Sequence, residues 1–70
     1  MANSNIINKA GEVVAQGKSD MDAVCWYLDN GRMGDRLAET NELMSDVAAD
    51  LLPDVSVSYN EGGEVVYESD

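Results

Sequence analysis

The chain has no histidine, no phenylalanine, one cysteine, one proline and only four basic residues among its 70 positions. Without histidine there is no ordinary general base and no Ser-His or Cys-His pair, so an enzyme is not expected. Cys25, the lone cysteine, can neither close a disulfide within the chain nor supply a metal site by itself. Secreted domains of this size usually carry several bridges, so one thiol points to a reducing compartment, the cytoplasm. Met1-Ala2-Asn3-Ser4-Asn5 shows no basic region followed by an apolar run, so no signal peptide is expected. No stretch approaches the roughly 20 apolar residues of a membrane span. Gly31-Arg32-Met33-Gly34 lacks the preceding strand and the spacing of a phosphate loop. No stretch matches a calcium loop, and neither a metal nor a cofactor is expected.

What is present is acid. Fourteen Asp and Glu against four Lys and Arg give a net charge of −10. Residues 1–18 hold Lys9, Lys18 and Glu12, for +1, whereas residues 19–70 hold 13 acids against Arg32 and Arg36, for −11. Nothing basic follows Arg36. Such a chain repels nucleic acid and anionic membrane and attracts basic proteins. Its 44% hydrophobic content falls in periodic patterns, which argues for a folded chain rather than a disordered one. A loose tail is expected only over the last two or three residues. Seventy residues make one domain, 1–70, with a small core.

An internal echo organises the chain. Asn8-Lys9-Ala10-Gly11-Glu12-Val13-Val14 and Asn60-Glu61-Gly62-Gly63-Glu64-Val65-Val66 share the pattern N-x-x-G-E-V-V. Asn opening a turn with its side chain and Gly closing it in the left-handed region make a three-residue hairpin loop. In the second copy, Asn60 faces Glu64, Tyr59 faces Val65 and Val57 faces Tyr67. Alternation then puts Val55, Val57, Tyr59, Val65 and Tyr67 on one face and Ser56, Ser58, Glu64, Val66 and Glu68 on the other. The first copy pairs Ile7 with Val13 and Ile6 with Val14. For residues 4–17 a helix using Ile6, Ile7, Ala10, Val13 and Val14 is the competing reading, but Gly11 would cost it about 1 kcal/mol.

Two helices are expected between the hairpins. Ser19 caps the first, Met21, Val24, Cys25 and Leu28 form its apolar face, and Asn30-Gly31 ends it. Asp35 caps the second, which runs to about Leu52 before Pro53 and buries Leu37, Met44, Val47, Ala48 and Leu51. The order is β-β-α-α-β-β. The fold class is α+β, an antiparallel sheet of two hairpins covered on one face by two helices.

On that second helix, Asp35, Glu39, Glu42, Asp46 and Asp50 fall within an arc of about 80°, an acidic ridge about 22 Å long. Its charge density is close to that of one nucleic-acid strand, which offers about six phosphates over the same length. Like charges at i,i+4 cost a helix about 0.2–0.5 kcal/mol per pair, so the ridge reads either as a solvated face or as a binding surface. Asp22 and Asp29 extend it on the first helix, with Trp26 beside them as an interface anchor or, alternatively, a cover for the sheet edge.

In length, net charge, one-sided carboxylate array and single compact domain, the chain resembles the small acidic proteins of phages and mobile elements that inhibit host defence. Notable among these are the anti-CRISPR proteins, several of which act as DNA mimics. The likeness includes no sequence motif, and no functional residue is carried over by position. It implies a non-enzymatic inhibitor in a bacterial host's cytoplasm. The partner implied is a basic nucleic-acid-binding protein such as a CRISPR effector subunit, whose cationic surface the carboxylates would occupy. The alternative is a small structural or oligomerising domain, such as a phage accessory protein. The expected state is a monomer or weak homodimer.

Overall fold

A computed structural model describes residues 4–69; Met1–Asn3, Asp70 and the side chain of Lys18 lie outside the description, and with Asp70 the last residue of the expected loose tail. The first echo folds as a hairpin, not a helix, with β1 (Ser4–Ile7) antiparallel to β2 (Val13–Lys18). Its turn is held by Asn8, whose Oδ1 accepts from Ala10 N and Glu12 N at 2.9 Å each. Gly11 at φ 87° and Gly63 at φ 77° take the left-handed backbone that a side chain would strain, one in each echo. Ile7 faces Val13 as expected, but Ile6 faces Ala15 and not Val14, and Ser4 faces Lys18. Two bulges in β2 produce these shifts. The first seats small Ala15 in the core and leaves Val13 and Val14 exposed.

Ser19 caps α1 (Asp20–Asn30), its Oγ accepting from Asp22 N at 3.2 Å. The buried face is Ala23, Val24, Tyr27 and Leu28. Met21 and Cys25, expected on the apolar face, are exposed. The helix is turned so that Tyr27, 1% exposed, enters the core and its hydroxyl meets that of Tyr59. Gly31 ends the helix in extended backbone, and it must be glycine for space: a Cβ there would lie 2.3 Å from Tyr27 Cδ1 and 2.4 Å from Tyr27 O.

The second helix is much shorter than the spacing predicts. α2 is Met44–Leu51, and residues 35–43 form β3 (Arg36–Leu37) and a turn. β3 pairs with β1, Ile6 opposite Leu37, giving a three-stranded sheet of order β2-β1-β3. Leu37 thus reaches the core from a strand. Between Leu37 and Leu43 the segment Ala38-Glu39-Thr40-Asn41-Glu42 offers no large apolar side chain to hold a helix against the core. Asn41 closes the turn at φ 61°, and Leu37 N donates to Glu42 O at 2.9 Å. Met44, Val47 and Ala48 are buried as expected, and Leu51 is half-buried.

β4 (Val55–Tyr59) and β5 (Val65–Ser69) form the second hairpin in the expected register, Tyr59 opposite Val65 and Val57 opposite Tyr67. Asn60 Oδ1 accepts from Gly62 N at 2.9 Å and Glu64 N at 3.0 Å, reproducing the Asn8 turn. Val55, Val57, Tyr59 and Val65 pack on the core, while Tyr67 is 44% exposed. The two hairpins are separate sheets rather than one. Gly31–Met33 joins the second hairpin at its turn and the start of β5 by backbone bonds, Met33 N to Gly63 O at 2.7 Å and Val65 N to Gly31 O at 3.2 Å. α1 contacts β1, β2, β5 and α2, and α2 contacts β4, so the order is the expected β-β-α-α-β-β with one short strand added and the class is α+β. Among the described residues, no buried side-chain nitrogen or oxygen lacks a hydrogen-bond partner.

Candidate partner-binding surface

The outer face of a short amphipathic helix is whatever its core face leaves over. On α1 the core takes Ala23, Val24, Tyr27 and Leu28, so at about 100° per residue Asp22, Cys25, Trp26 and Asp29 share the opposite stripe. Asp22 and Asp29 are exposed and Trp26 between them is half-buried, its inner part packed on the core. Trp26 thus covers the core while part of it is left to solvent. On α2, which touches α1, Asp46 and Asp50 lie one turn apart on the outward stripe, both exposed.

The remaining three acids of the expected ridge are elsewhere, because residues 35–43 are not helical. Asp35 is 4% exposed. Its Oδ2 accepts from Arg32 N at 2.9 Å, closing the Arg32–Asp35 turn, and burial raises its pKa above the ordinary carboxylate range despite the opposing pull of that bond and of the Arg32 charge. It is a structural residue. Glu39 is exposed in the following turn but bound to Asn5, with Oε1 accepting from Asn5 N at 2.9 Å and Oε2 from Asn5 Nδ2 at 3.0 Å. Glu42 is exposed on the return of the same turn, before α2 begins. The continuous acidic ridge therefore does not form.

Helix position distinguishes the four acids that remain. Asp22 and Asp46 lie in first turns, where the helix dipole favours a negative charge. Asp29 and Asp50 lie at the opposite ends, and neither helix has a basic residue in its last turn. There a carboxylate is unfavourable by about 0.3–1 kcal/mol. Helix stability accounts for the first pair and not for the second.

Over the whole surface, twelve of the thirteen described carboxylates are exposed, Asp35 being the exception. The cations, by contrast, are gathered. Lys9, Arg32 and Arg36, three of the chain's four, all line cavities at the end of the molecule where both hairpin turns lie. Reading the sequence missed this grouping, because it considers Gly31–Gly34 only against the phosphate-loop pattern. The signal was the second Asn turn, which the Gly31–Met33 segment pairs against. Among the described residues no three Asp, Glu or Cys side chains come together as a metal-binding group. No described helix is long and apolar enough to cross a membrane. Compared with known protein families, curated proteins and solved structures, the chain matches none.

Proposed function

We propose that this is a non-enzymatic acidic protein that docks on the basic, nucleic-acid-contacting surface of another protein. In this reading it acts as an inhibitor, in the manner of the anti-CRISPR proteins it resembles. The observation that carries the reading is the outward stripe of α1 with its neighbour on α2: Asp22 and Asp29 flank a half-buried Trp26, and Asp46 and Asp50 stand on the adjoining helix. Carboxylates around an aromatic side chain combine charge-assisted bonds to Lys and Arg with a rigid anchor that also stacks on guanidinium. Asp29 and Asp50 sit where they oppose their own helices, as expected when binding rather than stability selects a side chain. Because the long ridge is broken, the proposed contact is a compact acidic patch and not a copy of one nucleic-acid strand.

The test is a pull-down from bacterial lysate at low and high salt, with the wild type and with Asp22, Asp29, Asp46 and Asp50 all changed to Lys. Recovery of a nucleic-acid-binding protein by the wild type alone, released by salt and by competing DNA, supports the proposal. Equal recovery by both forms contradicts it.

The second reading, a self-associating interaction domain, draws on different residues. Val13 and Val14 on edge strand β2, and Val66 and Tyr67 on β5, are large apolar side chains exposed at the margins of the two sheets. It predicts a dimer by size-exclusion chromatography with light scattering, one that survives the four charge reversals and is lost on Val66→Lys. A net charge of −10 on each copy works against it.

A further inference from the structure

On a strongly acidic chain, a place where cations gather calls for an explanation. The two Asn turns and the Arg32–Asp35 turn enclose a groove of about 530 Å³, within the roughly 300–1,000 Å³ usual for small-molecule sites. Lys9, Arg32, Met33, Asn60 and Glu61 line it. A second cavity of about 360 Å³ adjoins it through Asn8 and Lys9 and has Arg36 in its wall. The stem of exposed Lys9 lies beside Gly34, where a Cβ would come within 3.3 Å of Lys9 Cβ. The Arg32 charge acts on Asp35 at the groove's border, but the hydrogen bonds of both guanidinium groups go to uncharged oxygens. Arg32 Nη1 donates to Gly62 O and Arg36 Nη1 to Asn41 Oδ1, both neutral oxygens at 3.4 Å. A carboxylate at about 2.8 Å would be a much stronger acceptor for either.

We propose that this groove binds a small organic monocarboxylate with an apolar body, its carboxylate against Arg32 and Lys9 and its body against Met33. The planar fork of Arg32 matches a carboxylate in two parallel bonds. Met33, 53% exposed, and the alkyl stems of Lys9 and Arg32 supply soft apolar surface for the body. A single negative charge fits better than two. Glu61 and Asp35 also border the groove, and the rest of the chain adds a repulsive field that a phosphate dianion would feel twice over. No residue of the two helix stripes lines the groove, so the site stands or falls separately from the partner-binding surface.

The test is an amide NMR titration of the full chain with benzoate and phenylacetate at constant ionic strength, with benzamide and inorganic phosphate as contrasts. Both carboxylates should give saturable shifts confined to residues 8–11, 32–35 and 60–63, with benzamide giving none and phosphate binding more weakly. Arg32→Gln and Lys9→Gln should each weaken binding about tenfold, and Arg32→Lys, which keeps the charge but loses the fork, by less. The backbone N–H of residue 32, which holds Asp35, is untouched in these variants, and an unchanged melting temperature checks that they fold. The absence of saturable shifts with both carboxylates would overturn the proposal. So would phosphate binding more tightly than either carboxylate, benzamide binding as well as benzoate, or affinity unchanged in the variants.

Discussion

At the turn end of the molecule, backbone bonds join residues 31–37 to 60–65, an Asn side chain closes each hairpin turn, and a buried Asp and a glycine with no room for a Cβ fix the segment between. The outward stripes of α1 and α2 differ in every one of these respects. Asp22, Asp29, Asp46 and Asp50 are exposed, and two of them oppose the dipole of their own helix. The contrast shows how labour is divided on a small domain. The residues that fix the fold cluster where the chain turns, and the helix faces are free to carry charge that the fold does not need. Substitutions should separate the two regions cleanly.

The largest effect is expected at Gly31. Gly31→Ala forces a methyl against Tyr27 O and its ring, and should lower the unfolding free energy by about 3 kcal/mol in chemical denaturation. Two residues earlier, Asp29→Asn should change it by no more than about 1 kcal/mol, in the stabilising direction. A similar loss at both positions would erase the distinction between the regions.

Next come the turn asparagines. Asn8→Ala and Asn60→Ala each remove an acceptor of two backbone N–H groups and should cost about 1 kcal/mol apiece, nearly equal because the two Asn oxygens hold corresponding N–H groups. Denaturant midpoints would check this.

These turns were also the most legible part of the sequence. An Asn-to-Gly loop is a local code: Asn supplies its own acceptor and Gly the left-handed backbone, whatever the rest of the chain does. The register of the second hairpin, with Tyr59 opposite Val65, follows from that loop alone. Decisions made at a distance were harder to read. α1 is apolar on much of its circumference, and it is Tyr27, reaching the Tyr59 hydroxyl, that turns Ala23 inward and Cys25 outward. The start of α2 depended on Leu37, which sits at helical spacing from Met44 but enters the core by pairing β3 with β1. The spacing of Asp35, Glu39 and Glu42 had no bearing on this, since the periodicity of exposed charge places no backbone.

Asp35 gives a smaller, pH-dependent effect. Its folded pKa is raised by burial, so the native state binds its proton more tightly than the unfolded chain does. The protein should therefore gain stability from this residue as pH falls through the folded pKa, the gain being complete below the ordinary carboxylate range. Asp35→Asn, which keeps an oxygen for Arg32 N, should remove that part of the pH dependence. Measured from about pH 7 to about pH 3 in both proteins, the stability of the variant relative to the wild type should fall as pH falls. A variant that gains on the wild type over that range would contradict the assignment.

The carboxylates at the helix ends bear most directly on the central claim, and one double variant tests them. With Asp29→Lys and Asp50→Lys, unfolding free energy and recovery of the partner from lysate should be measured on the same preparation. A protein more stable by about 0.3–1 kcal/mol per site that no longer retains its partner is the predicted result. A protein that retains its partner undiminished would contradict the assignment of binding to these helix faces.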